Sequence, residues 1–113
     1  MKELASKKCV PCEGGVTAIS ADKAAEYLRQ ISPEWRLVDD GKKLEHKFKF
    51  KNFQEALNFV NEVGGLAEAE NHHPRITFGW GFANVTLWTH AISGLHENDF
   101  ILAAKIDQLE PGF

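Results

Sequence analysis

No basic surplus, no long apolar run and almost no cysteine characterise this 113-residue chain. Lysine and arginine number 13 against 16 acidic residues, a formal charge of −3. A protein that grips nucleic acid through its phosphates usually carries a basic excess, so that class is not expected. No apolar stretch approaches the roughly 18 residues needed to cross a bilayer. Met1 to Lys8 lacks the apolar core of a secretory signal. A cytoplasmic chain with neither nucleic-acid nor membrane partners is the expectation. Repeats, linkers and low-complexity tracts are also missing. What is present, 43% hydrophobic and 26% charged residues, suits one ordinary globular domain rather than a disordered chain.

The two cysteines, Cys9 and Cys12, stand as Cys-x-x-Cys. A structural zinc site usually needs a second such pair or two well-spaced histidines, and neither follows. A thioredoxin-like motif would follow a strand and open a helix. Here the motif lies in a polar lead-in that ends at Gly14-Gly15. Residues 1–19 therefore read as a mobile tail with two reduced thiols. A partial or shared metal site and a redox pair are the alternatives. No serine sits in a nucleophile-elbow pattern.

Residues 20–113 read as the domain. Ser20 is placed to cap a helix that carries Ala21, Ala24, Ala25, Leu28 and Ile31 at helical spacing and ends before Pro33. Trp35 to Val38 reads as a short strand. Asp40-Gly41 suits the positive φ of a tight hairpin turn. The return strand alternates cleanly, with Leu44, His46, Phe48 and Phe50 against Glu45, Lys47, Lys49 and Lys51. Asn52 and Glu55 open a second helix, with Phe53, Ala56, Leu57, Val60, Val63 and Ala67 as its stripe, running to about Glu70. Gly64-Gly65 inside it point to close packing by the sheet or a partner subunit. Arg75 to Trp80 and Val85 to His90 read as two further strands. A last helix runs from about Glu97 to Leu109. The order α-β-β-α-β-β-α predicts an α+β domain: one four-stranded antiparallel sheet with helices on one face.

Histidine suits proton transfer near neutral pH. His72-His73-Pro74 follows the long helix, and His90 ends the fourth strand. Glu68 precedes His72 by four residues and so shares its face if the helix stays regular. Asp99 lies in the first turn of the last helix, where an anion is favoured. Each residue also has an ordinary reading. The pair His72-His73 and His90 suit a solvated surface, and Glu68 and Asp99 suit exposed helix charges. His46 suits the core or an interface, with its polar atoms satisfied, and His96 a helix start. Trp35, Trp80 and Trp88 suit the core, an interface or a flat ligand. Three histidines can also hold zinc, but the usual local spacings are missing.

Taken in order, Glu68-Ala69-Glu70-Asn71-His72-His73-Pro74, Thr89-His90, Gly94-Leu95 and Asp99-Phe100 resemble the signature of the pterin-4a-carbinolamine dehydratase family. The resemblance covers about residues 20 to 109 and includes Trp35 and Phe50-Lys51-Asn52-Phe53. Asn71 and Asn98 stand where some members carry charged residues. The cysteine-bearing extension looks like that of bacterial members. The resemblance implies a hydro-lyase that removes water from 4a-hydroxytetrahydropterin and yields quinonoid dihydropterin. It implies no metal or other cofactor, the pterin being the substrate. His72 and His90 would be the acid and base, with Glu68 orienting a histidine. His73, Pro74, Asp99 and Trp35 would bind substrate. A homodimer or homotetramer and a link to phenylalanine hydroxylase, through tetrahydrobiopterin recycling, are also implied. Animal relatives bring an alternative: a dimerisation cofactor of a transcription factor, for which catalysis is not required.

Overall fold

Local capping chemistry sets the helix starts. The Ser20 hydroxyl accepts from the Lys23 N–H at 3.1 Å and opens α1, Ala21–Leu28. The Asn52 carbonyl oxygen accepts from the Glu55 N–H at 2.9 Å, and Glu55 reaches back to the Lys51 N–H at 3.1 Å. These contacts open α2, Phe53–Glu70. In the third helix, α3, Glu97–Asp107, His96 Nδ1 accepts from the Asn98 N–H while Asp99 accepts from the His96 N–H. The computed structural model describes residues 4–9 and 18–109. Cys12, Gly14-Gly15 and Pro111-Gly112 lie outside them.

The strands are β1, Arg36–Val38, β2, Lys43–Lys49, β3, Arg75–Gly79, and β4, Phe82–Leu87. They form one antiparallel sheet in the order β1-β2-β4-β3. Between β1 and β2, Asp40 and Gly41 take φ of 56° and 78°, and the Lys42 N–H bonds the Asp39 carbonyl at 3.0 Å. This is the Asp-Gly turn that the sequence foretells. β2 pairs centrally with β4, with His46 opposite Val85 and Leu44 opposite Leu87. Leu44, Val85, Leu87, Phe59, Val63, Phe100 and Leu102 build the shared core on the helix side. α3 is buried along nearly its whole length, from Asn98 to Ile106. A helix apolar on all sides belongs inside, and α1, α2 and a short turn at Leu4–Ser6 surround it.

Four expectations change. The chain from Leu4 to Cys9 is docked, not a loose tail: Leu4 is buried in the core, and Lys105 donates to the Ala5 carbonyl at 2.9 Å. A Cβ at Gly64 or Gly65 would meet nothing within 4 Å, so the sheet does not press on those glycines. β4 begins at Phe82 and stops at Leu87, and His90 opens a short 3-10 turn, His90–Ile92, instead of ending the strand. Phe78, on the edge strand β3, and Trp80, just after it, are exposed rather than in the core, and Phe78 meets only the also exposed first residue of α2, Phe53, among the described ring contacts. Among the described residues no helix is long and apolar enough to cross a membrane.

Candidate active site

The C-terminal end of α2 turns abruptly. Asn71 adopts a left-handed conformation, φ 51° and ψ 42°, and its N–H bonds the Ala67 and Glu68 carbonyls. Asparagine tolerates this conformation better than most residues. The turn takes His72 off the helix face that Glu68 occupies and carries it toward the start of α3. His72 Nε2 there lies 2.6 Å from Asp99 Oδ1. Asp99 has no exposed surface. Its other oxygen, Oδ2, accepts from the Thr89 hydroxyl at 2.9 Å and from the His96 N–H at 3.0 Å. Three donors thus converge on this one carboxyl group at the N-terminus of α3.

His73 points elsewhere. Its Nε2 meets Glu68 Oε2 at 2.5 Å, and both side chains are largely exposed. The spacing that suggested Glu68 for His72 therefore does not hold, since Asn71 breaks the helix between them. His90 is exposed, and its ring lies 4.4 Å from that of Trp88. Lys43 and Arg75 approach the same indole, at 4.4 and 5.1 Å from its centroid.

The three histidines and Trp88 line one cleft of about 390 Å³. It brings together His72, His73 and His90 with Trp88, Glu70 and Cys9. Pro74 and Glu68 fall outside it, on a shallower groove behind His73. Asp99 stands behind His72 as its buried partner rather than on the cleft wall. Trp35 is remote from the cleft: it is 2% exposed, rests against His46 and Phe48, and donates from Nε1 to Asp107 at 2.8 Å. Trp88 is the tryptophan at the cleft. Its place between β4 and Thr89-His90 was a usable signal. Cys9 was a residue that no local pattern could place.

Two groups at the rim have shifted protonation. Burial, reinforced by the Glu70 carboxylate, pushes the Cys9 thiol up to about 12. The Cys9 backbone N–H, bonded to Glu70 Oε1 at 2.8 Å, holds that carboxyl below its ordinary value, aided by Lys105. Cys9 is therefore a neutral thiol, poorly suited to nucleophilic or redox work. Away from the cleft, burial lowers the pKa of His46. The ring of His46 stacks 3.6 Å from Phe48, and its Nδ1 has no partner among the described residues. His46 is thus in the core as expected, but not fully satisfied.

A family model described as pterin 4 alpha carbinolamine dehydratase matches residues 17–109. A relative from Rubrobacter xylanophilus is 53% identical over 96% of this chain and all of its own length. One from Halorhodospira halophila is 54% identical over 94% of this chain and 96% of its own. Both carry provisional names as pterin-4-alpha-carbinolamine dehydratases. A Brucella melitensis crystal structure, described as a transcriptional coactivator/pterin dehydratase, is 31% identical with a TM-score of 0.74. That match covers 80% of this chain and 95% of the other.

Proposed function

The chain belongs to the pterin 4 alpha carbinolamine dehydratase family, and from that premise we propose that it dehydrates 4a-hydroxytetrahydropterin to quinonoid dihydropterin by histidine acid/base catalysis. In this reaction the C4a–O bond breaks and the oxygen leaves as water after taking up a proton. The N5 proton departs as the C4a=N5 double bond forms. The reaction thus needs one acid and one base, with no net electron transfer.

The observation that carries the proposal is the buried Asp99–His72 pair at the wall of a cleft that also holds His90. In the proposed mechanism Asp99 accepts from His72 Nε2–H, which leaves Nδ1 with its lone pair. Asp99 fixes the ring and stabilises the imidazolium that forms when Nδ1 takes a proton. His72 and His90 come from different elements and serve as the acid/base couple. His73, held by Glu68, binds the pterin. Trp88 takes the role the resemblance gave to Trp35, as the aromatic surface beside the flat ring. Asp99 is a positioning residue rather than a substrate ligand, and Pro74 shapes the chain after His73. No metal or cofactor is required.

The open edge of β3, with exposed Phe53 and Phe78 touching at 5.7 Å, supports a homodimer or homotetramer. The unfilled space at Gly64 and Gly65 agrees with a neighbour approaching α2 from outside. The same patch, together with the description of the Brucella structure, supports the binding-module alternative, in which a transcription factor is the partner. A cytoplasmic location and a hydroxylase that supplies the carbinolamine complete the proposal. The test is carbinolamine breakdown followed by absorbance with purified protein, before and after chelation. Acceleration over the spontaneous rate that survives chelation is expected. No acceleration would overturn the enzymatic reading, and loss restored by zinc would overturn the metal-free one.

A further inference from the structure

Residues Leu4–Cys9 form a strap along α3 that ends in the cleft. Leu4, 4% exposed, seats one end in the core. Lys105 holds the Ala5 carbonyl, and Lys7 Nζ meets Glu97 Oε2 at 2.6 Å. At the other end the Cys9 N–H bonds Glu70 Oε1, while Glu70 Oε2 lies 3.6 Å from Lys105. The Cys9 thiol donates to the Asn98 carbonyl at 3.6 Å. Cys9 is thus gripped by the last residue of α2 and the second residue of α3. Those are the helix ends that present His72 and Asp99. Among the described residues, Cys9 is the strap's contribution to the cleft lining.

We infer that the Leu4–Cys9 strap is a wall of the pterin cleft, so that strap docking and pterin binding reinforce one another. The inference rests on the dehydratase reading for the identity of the ligand. Linkage makes the effect reciprocal: a ligand that touches the docked strap binds less tightly when the strap is released, by the same factor with which it holds the strap in place. The neutral, half-buried thiol offers a soft, uncharged surface, which suits a flat heteroaromatic ring.

Two measurements test this. Leu4→Asp places a charge in an apolar seat and releases the strap without altering a cleft residue; Lys7→Ala weakens the same strap more gently. With 4a-hydroxytetrahydropterin as substrate, Leu4→Asp is expected to raise KM at least about 5-fold with kcat within about 2-fold. Lys7→Ala should shift KM in the same direction and less, and it decides the matter if Leu4→Asp does not fold. An unchanged KM in the folded variants, or a fall in kcat and melting temperature without a change in KM, overturns the inference. The second measurement needs no turnover. Trypsin cleavage of the wild-type chain after Lys7 and Lys8 should slow at least about 5-fold with saturating 7,8-dihydropterin. Equal rates with and without it overturn the wall. A wild-type chain that is protected but inactive would instead sink the dehydratase reading and leave the strap as part of a pterin-binding site.

Discussion

His72 and His73 are adjacent, and each has a carboxylate on its Nε2, yet the two pairs occupy different surroundings. Asp99 is fully buried and holds Thr89 and His96 as well as His72. Glu68 is 79% exposed and, in the described contacts, holds His73. A buried carboxylate with three donors cannot be removed without stranding each of them. An exposed one is replaced by water. The difference makes the first pair costly to disturb and the second cheap, which is what the proposed division between a reacting and a binding histidine requires.

The sharpest way to break the comparison is to remove the rings. His72→Ala should lower kcat by about 10²- to 10⁴-fold, and His72→Ala/His90→Ala by more than either single change. Steady-state kinetics on variants whose folding is checked by circular dichroism would decide this. A folded double variant with near wild-type kcat would refute the acid/base assignment. His73→Ala is expected to raise KM about 10-fold while kcat stays within about 3-fold. If instead it lowers kcat as much as His72→Ala does, the two pairs are equivalent.

The carboxylates extend the contrast to stability. Asp99→Ala leaves the Thr89 hydroxyl, the His96 N–H and His72 without their acceptor. A loss of about 3 kcal/mol or more is expected from urea unfolding. Glu68→Gln should change stability by less than about 1 kcal/mol and kcat/KM by less than about 3-fold, with the effect shrinking as salt rises.

A third histidine gives the smallest effect. His46 is buried with an unpartnered Nδ1, and burial lowers its pKa below 6.5. The unfolded chain therefore binds a proton at this site more readily than the folded one. Stability from His46 is complete above pH 6.5 and is lost as pH falls from there through the folded value. Glu70, also lowered, loses its contribution in a more acidic window, below about pH 4.5. Urea midpoints between pH 7.5 and 5 should fall for the wild type, and His46→Leu should flatten that fall. An identical slope in the variant would reject the assignment.

Alternation in β2, the caps at Ser20 and Asn52 and the Asp-Gly turn were readable because each rests on neighbours within about four residues. The stripe of α2 was readable in part, since Ala56, Val63 and Ala67 are buried, but Phe53 is exposed and Phe59 takes the core position. The element order followed, and so did the set of three histidines, once Glu68 to Pro74 and Thr89-His90 were seen together. Other features depended on segments far apart in sequence. Helical spacing offers Glu68 to His72, but the left-handed Asn71 redirects His72 to Asp99, 27 residues away. The position of Trp88 beside Thr89-His90 hints at the cleft, but nothing local shows that Trp35 is anchored on Asp107 away from it. A polar lead-in with two cysteines reads as a tail, and only the carboxylate of Glu70 and the carbonyl of Asn98, 61 and 89 residues on, make Cys9 part of the site. The sequence by itself therefore determined the elements and their order, since those rest on local periodicity and capping, and it supplied the candidate histidines. Which carboxylate serves which histidine, and what walls the cleft, the tertiary structure alone decided, because burial and distant donors select among partners that local spacing leaves equivalent.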